Sequence, residues 1–205
     1  MDNKIEVIKA WLGTGSINIF GLPFGGKDTQ GMRLADKFGG VMISSGDILR
    51  HDHGNQRVQE LMAAGEIIPS NLFAEIVVPY FLRDELKGKP LILSEVGRVS
   101  PEQIAVEQAA QASFHPQKAV ILLNLPDEEV WQRFEASQSL GDRGDRADDS
   151  RDVLQTRLNS YHDKVTPVIE YYKSKQQLIE IDGTKAKDEV EEEIINRLNE
   201  MATRR

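Results

Sequence analysis

The sequence predicts a three-layer α/β fold, a five-stranded parallel sheet with helices on both faces, and three observations predict it. Short apolar runs recur at 17–20, 41–43, 91–93, 119–123 and 178–181, each flanked by turn or polar residues. Between them lie longer stretches whose apolar residues repeat with helical spacing. The crossovers exceed ten residues, more than a hairpin needs and enough for right-handed βαβ units. Sheets of this kind bind ligands beyond the carboxyl ends of their strands.

Composition narrows the function. The chain has 205 residues, with 25 Lys and Arg against 33 Asp and Glu, so its formal charge is −8. With a pI near 5.1, it is no general binder of nucleic acid, whose affinity rests on neutralising phosphates. Apolar residues make up 40% and mean hydropathy is −0.42, as in a soluble globular protein. No apolar run approaches the ~20 residues of a membrane helix. There is no cysteine, hence no disulfide, thiolate nucleophile or Cys-ligated zinc, and the four His are scattered. Lys4, Glu6 and Lys9 interrupt the apolar residues of the amino-terminal stretch, so it lacks the core of a secretory signal. A cytoplasmic location is expected.

Each element follows from local pattern. Ile5, Ile8 and Leu12 share one helical face of an opening segment that stops at Gly13. After the first strand comes a helix whose inner face is expected to include Met32, Leu34 and Phe38. Ile104, Val106, Ala109 and Ala110 mark a further helix, as do Val130, Trp131 and Phe134. A long helix through Arg157 and Tyr161 is expected to run to Thr166-Pro167, where the ring removes a backbone donor. Residues 187–200 read as an amphipathic terminal helix with a charged, solvated face.

The connection after the first strand carries chemistry. It reads Gly21-Leu-Pro-Phe24-Gly25-Gly26-Lys27-Asp28-Thr29 and leads into a helix. A polyphosphate needs many donors at close range, so a loop that binds one must turn backbone N–H groups inward without intervening Cβ atoms. The following helix adds the positive end of its dipole. The spacing matches G-x-x-x-x-G-K, the phosphate-loop signature of nucleoside triphosphate binding, with the hydroxyl displaced by one place to Thr29.

That displaced threonine resembles the adenylate kinase and nucleoside monophosphate kinase family, whose loop reads G-x-P-G-x-G-K-G-T. Phe24 and Asp28 stand where that pattern has glycine. Unit charges ~4 Å apart repel by ~4 kcal/mol at an effective dielectric near 20. The Asp28 carboxylate is therefore expected to point away from phosphate, and a glycine there to leave activity intact or improve it.

The resemblance extends over most of the chain. Ser44-Ser45-Gly46-Asp47-Ile-Leu-Arg50 is similar to the family's S-T-G-D-x-L-R, where a hydroxyl and an arginine grip the monophosphate, bidentately in the case of the guanidinium. Gly65-Glu66-Ile67-Ile68-Pro69 is similar to the stretch that lines the acceptor base. Leu93-Ser94-Glu95-Val96-Gly97-Arg98 falls where the family reads L-D-G-F-P-R. The family's Asp contacts magnesium through water; Ser94 carries no charge, and Glu95 is the neighbouring candidate. The base-reading residue is either Glu102 or Gln103. A carboxylate accepts from an exocyclic amine but cannot donate.

From 133 to 157 the basic residues are Arg133, Arg143, Arg146, Arg151 and Arg157, without a lysine. Phosphoryl transfer spreads negative charge over three oxygens, which planar multi-donor cations stabilise. Arg146-Ala-Asp148-Asp149 and Arg157 resemble the family's G-R-x-D-D segment and its downstream arginine. Arg151 reads as a surface partner of the interleaved aspartates, and Ser137 stands where the family has a further arginine, a loss for which Arg143 can compensate. Gly141 and Gly144 are candidate pivots of a short lid without a zinc-bearing insertion.

The resemblance implies a P-loop NTPase fold in a single domain over 1–205. Its core is 1–43, 74–134 and 149–205, with a monophosphate-binding insertion at 44–73 and a lid at 135–148. It implies transfer of the γ-phosphoryl of ATP, with Mg²⁺ and no zinc, to a nucleoside monophosphate, AMP first. ATP would lie on Gly21, Phe24, Gly25, Gly26, Lys27, Asp28, Thr29, Arg133 and Lys185, with Thr29 near the metal. The monophosphate would lie on Ser45, Gly46, Arg50, Glu66, Ile67, Ile68, Gly97, Arg98, Glu102 or Gln103, Arg146 and Arg157. Lys27, Arg98, Arg146 and Arg157 would carry the catalysis. A monomer without membrane or nucleic-acid partners is expected. The alternatives are a UMP/CMP or broader monophosphate kinase and, in another class, a nucleotide-binding regulator without turnover.

Overall fold

The computed structural model describes residues 2–51, 55–140 and 150–204, the side chains of Asp2, Asp47, Arg50, His51, Ser139 and Leu140 excepted. Its centre is a sheet of β1 (Ser16–Gly21), β2 (Val41–Ser44), β3 (Leu91–Ser94), β4 (Gln117–Asn124) and β5 (Leu178–Asp182). The strand order is β2-β3-β1-β4-β5, and every pair is parallel. All five apolar runs are strands. The chain leaves β1 toward one edge and returns to the other, so the ends of β1 and β3 flank a switch point, where such sheets bind ligands.

Strand periodicity divides the core. Ile17, Ile19, Ile92, Ile121 and Leu123 project to one face. There they meet α1 (Asp2–Leu12), α2 (Lys27–Phe38) and α10 (Lys187–Thr203). Their alternates Leu91 and Leu93 meet α6 (Glu102–Ala112) on the opposite face. Phe20 and Val120 meet α9 (Thr166–Ser174) there too. Burial on both faces explains why the strands read as nearly continuous apolar runs. Each fully buried aliphatic side chain stabilises the fold by ~1.5–3 kcal/mol relative to its exposure.

The opening helix docks as its pattern predicts: Ile8 and Leu12 are fully buried in the cluster that holds Ile194 and Leu198 of α10. One expected core position differs, and one residue of an expected helix turns outward. Met32 is 59% exposed, because a helix that starts at Lys27 turns Gly31, Leu34, Ala35 and Phe38 inward instead. Ile104 is also exposed, and Val106 with Ala110 forms the inner face of α6.

Between β2 and β3 lie α3 (Ser45–His51), α4 (Gln56–Ala63), α5 (Ser70–Val77) and two 3₁₀ turns. After β4 come α7 (Asp127–Leu140) and α8 (Arg151–Lys164), which pack together through Val130, Phe134, Leu154 and Leu158. The expected long helix ends at Lys164, just short of Thr166-Pro167, where α9 begins with its proline in the first turn. Gly141, Arg143, Gly144, Arg146, Asp148 and Asp149 lie outside the described residues. Among the described residues no helix is long and apolar enough to cross a membrane.

Candidate active site

The phosphate loop is shaped by its glycines. Gly25 N–H donates to the Leu22 carbonyl at 3.0 Å, and a Cβ on Gly25 would lie 2.8 Å from that same oxygen. Gly26 caps α2 with φ 85°, a conformation glycine takes without strain. Phe24 does what glycine would do more cheaply: its φ is 60°. The ring lies edge-on against Phe134 of α7, centroids 5.6 Å apart, so aromatic packing holds the left-handed turn.

Lys27 points back into this loop. Its Nζ donates to the Gly21 carbonyl at 2.6 Å and to that of Leu22 at 2.9 Å, and lies 3.5 Å from Glu95 Oε2. Burial pushes the Lys27 ammonium below its ordinary value; Glu95 and then Asp28 oppose the shift, and Arg157 and Arg98 add to it. Two guanidinium groups therefore share the field of the phosphate-loop lysine.

The end of β3 closes the other side. Asn18 of β1 donates through Nδ2 to the Val96 carbonyl at 2.7 Å and accepts from Val96 N–H at 3.3 Å. Ser45 Oγ donates to the Glu95 carbonyl at 3.1 Å. These bonds fix Glu95, another residue with positive φ, 54°. Arg98 Nη1 lies 3.8 Å from Glu95 Oε2, whereas Glu95 Oε1 is buried without a hydrogen-bond partner among the described residues. Ser94 Oγ donates to Asp28 Oδ1 at 2.6 Å. The Asp28 carboxylate thus turns to the strand end, where Ser94 offers it a hydroxyl.

Glu102 and Gln103 occupy different places in the structure. Both are buried, but consecutive helical residues point ~100° apart. Glu102 lines the cleft with Gly65, Glu66, Ile67, Ile68 and Phe73. It accepts from Ser70 Oγ at 3.2 Å and Val99 N–H at 3.4 Å. Burial raises its carboxyl above the ordinary value, against the lowering effect of these bonds and of Arg98. Gln103 packs behind Gly97, where a Cβ would come within 3.0 Å of the Gln103 Cα.

The arginines arrive from two helices. Arg133 of α7 donates through Nη2 to the Gly183 carbonyl at 2.8 Å and through Nη1 to that of Phe24 at 3.5 Å, strapping the phosphate loop to the turn after β5. Arg157 of α8 reaches the cleft beside Gly65, whose missing Cβ would sit 3.1 Å from the arginine Cγ. Arg151 instead lies on the surface, as expected, and pairs there with Glu135 of α7 at 2.9 Å. Lys185 lines the cleft and pairs with Glu193 at 2.7 Å.

One cleft of about 760 Å³ therefore gathers Phe24, Gly25, Gly26, Lys27, Asp28, Thr29, Ser45, Gly46, Arg98, Arg133, Arg157 and Lys185 with the acceptor-side residues. Gly21 and Gly97 stand behind its wall; Gly21 contributes the carbonyl that holds Lys27. The Arg50 side chain and Arg146 lie outside the described residues. Sequence reasoning missed Asn18, although a polar residue amid the apolar run 17–20 was a usable signal. It also missed the setting of Tyr161, whose phenol is pushed up by burial and then by the charge of Glu95.

The sheet order and this cleft define a phosphate-loop α/β protein with a second binding end opposite the loop. The family model for adenylate kinase matches residues 19–177. An adenylate kinase of Parvibaculum lavamentivorans is 33% identical over 84% of this chain and 86% of its own length. One from Methanosarcina barkeri is 30% identical over 87% and 96%, and one from Elusimicrobium minutum 27% over 89% and 98%. The chain belongs to the adenylate kinase family, a family of phosphotransferases.

Proposed function

We propose that this protein is a nucleoside monophosphate kinase that reversibly transfers the γ-phosphoryl group of Mg-ATP to AMP, giving two ADP. The observation that carries this reading is the convergence of Lys27, Arg98, Arg133 and Arg157 on a single cleft. One end of that cleft is the phosphate loop and the other the apolar and carboxylate-lined pocket around Ile67, Ile68 and Glu102. Two anionic nucleotides placed head to head would meet at the arginines.

In this reading the loop amides and Lys27 take the β and γ oxygens, which requires Lys27 to give up the carbonyls of Gly21 and Leu22. Arg98, with Arg50, orients the acceptor phosphate; Arg157, with Arg146, bears on the transferring group. A phosphate monoester is already an adequate nucleophile, so no side chain need remove a proton. Catalysis is positioning plus charge stabilisation. The insertion at 44–73 would close on the acceptor and the lid at 135–148 on the donor, excluding water as a competing acceptor.

The residues suit a cation brought in by the nucleotide, since Thr29 presents a hydroxyl, Asp28 a carboxylate, and Glu95 Oε1 is a buried oxygen without a partner among the described residues. Mg²⁺ supplies neutralisation of the charge that develops between the β and γ phosphates. A cytoplasmic monomer is the setting we assign.

A coupled ADP-release assay with ATP and each of AMP, CMP, UMP and GMP tests the proposal. AMP should rank first. The Glu102 carboxylate in the pocket favours a second reading, a kinase for CMP or UMP, and either of these outranking AMP would establish it. ATP binding without transfer to any monophosphate at excess magnesium would leave a nucleotide-binding regulator.

A further inference from the structure

We propose that Asp28, held in place by Ser94, is the residue that faces the cation of the bound nucleotide, so that the charge stands on the first turn of α2 and the strand end supplies only a hydroxyl. The inference rests on the kinase reading above. In phosphate-loop proteins the cation lies beside the loop hydroxyl and a carboxylate at the end of a neighbouring strand. Here Thr29 is that hydroxyl, but β3 ends in Ser94, which is uncharged.

Two carboxylates stand near enough to take the role, and their contacts distinguish them. Glu95 is shared with the cations of the site: its Oε2 lies 3.5 Å from Lys27 and 3.8 Å from Arg98, and only its Oε1 is without a hydrogen-bond partner among the described residues. Asp28 has no ion pair within 4.0 Å among the described residues. Its carboxylate is fixed by the short bond from Ser94 Oγ, 2.6 Å, which uses the one proton of that hydroxyl. Ser94 itself is 3% exposed, so this bond is a rigid mount for the charge and not a surface contact.

The electrostatics demand a positive partner. A carboxylate one residue from Thr29 repels a polyphosphate held by the loop, and a divalent cation between them reverses the sign of that interaction. Asp28 should therefore oppose binding of bare ATP and support binding of the cation-loaded nucleotide. A carboxylate that merely capped α2 or braced β3 would act in the same direction on both.

The test uses the intact chain with a β,γ-imido analogue of ATP, which is not turned over, and Mn²⁺ as a spectroscopic cation. Analogue affinity is measured by calorimetry with and without the cation, and Mn²⁺ affinity of the protein–analogue complex by electron paramagnetic resonance. In Asp28→Asn, which keeps an acceptor for Ser94, the analogue should bind more tightly without cation. Mn²⁺ should bind the complex about 10-fold more weakly, the scale of a lost ligand-orienting group. The exchange Asp28→Gly with Ser94→Asp should recover Mn²⁺ affinity, while Ser94→Asp alone, with two carboxylates in contact, should weaken the cation-free complex further.

A parallel change in both conditions, or wild-type Mn²⁺ affinity in Asp28→Asn, overturns the assignment while leaving the kinase reading intact. A wild-type chain that binds the analogue in neither condition overturns both. Thermal melting of each variant separates loss of fold from loss of the site, and the exchange variant keeps the question decidable if one single variant fails to fold.

Discussion

Lys27 Nζ lies 3.5 Å from Glu95 Oε2, and both side chains are largely shielded, 12% and 13% exposed. Burial alone would favour a neutral amine; the carboxylate opposes that, and two loop carbonyls hold the proton in the meantime. The lysine is thus held in place by the two carbonyls and by the nearby carboxylate.

A pH dependence follows. Because the Lys27 value in the folded chain is below its ordinary 10.5, the unfolded chain binds the extra proton in the window between the two, and there this group makes stability rise with pH. ATP binding needs the ammonium, so affinity should fall as pH rises through the lowered value, and binding within the window should take up a proton. Glu95→Gln removes the main opposing charge and should move the fall to lower pH. Calorimetry in buffers of different ionisation enthalpy checks both; an unmoved midpoint in the variant would refute the coupling.

Phe24 yields a prediction of order. A left-handed backbone costs an ordinary residue ~1–2 kcal/mol, and an aromatic pair is worth ~0.5–1.5 kcal/mol beyond its burial. Phe24→Ala keeps the positive φ and loses the contact with Phe134. Phe24→Gly loses the ring but relieves the backbone. Thermal unfolding should therefore rank wild type and Phe24→Gly close together and Phe24→Ala lowest, while a freer loop raises the KM for ATP in Phe24→Gly.

Gly65 has φ 71°, and a Cβ there would lie 2.9 Å from Val153 Cγ1 and 3.1 Å from Arg157 Cγ. Gly65→Ala should cost about 1–3 kcal/mol of stability through backbone strain. It should also shift α8 enough to misplace Arg157, lowering kcat more than it raises the KM for ATP. A kcat that stays at the wild-type value would show that Arg157 is positioned by other contacts.

The Glu102 carboxylate accepts from Ser70 and Val99. Adenine offers a donor and an acceptor on its pairing edge, and an amide matches both, whereas a carboxylate matches only the donor. Glu102→Gln should lower the KM for AMP relative to UMP by roughly the ~1–3 kcal/mol of a bidentate base contact, with kcat little changed. Gln103→Ala, behind Gly97, should alter melting temperature and leave acceptor ranking unmoved; monophosphate kinetics on both variants decide.

Much of the site was legible because its chemistry is local. The phosphate loop requires small residues, a lysine and a following helix in one continuous stretch, and 21–29 contains them all. Strand runs were legible for a similar reason, since burial on both faces leaves the same apolar signature in each. Met32 was misjudged because its side depends on the residue at which α2 starts, a matter of one turn. The choice between Glu102 and Gln103 could not be made from spacing, since one residue on a helix swings the side chain by about 100°.

The sequence by itself determined the class of fold, the glycine-rich loop ahead of α2 and the set of arginines in the chain, because these depend on residue type and short-range spacing. Only the tertiary structure decided which groups meet. Asp28 and Ser94 are 66 positions apart, and Gly65 approaches Arg157 of a helix far along the chain. Such pairings arise from packing distant segments around one sheet. The energy of each contact depends on a distance and a burial that no one-dimensional pattern contains.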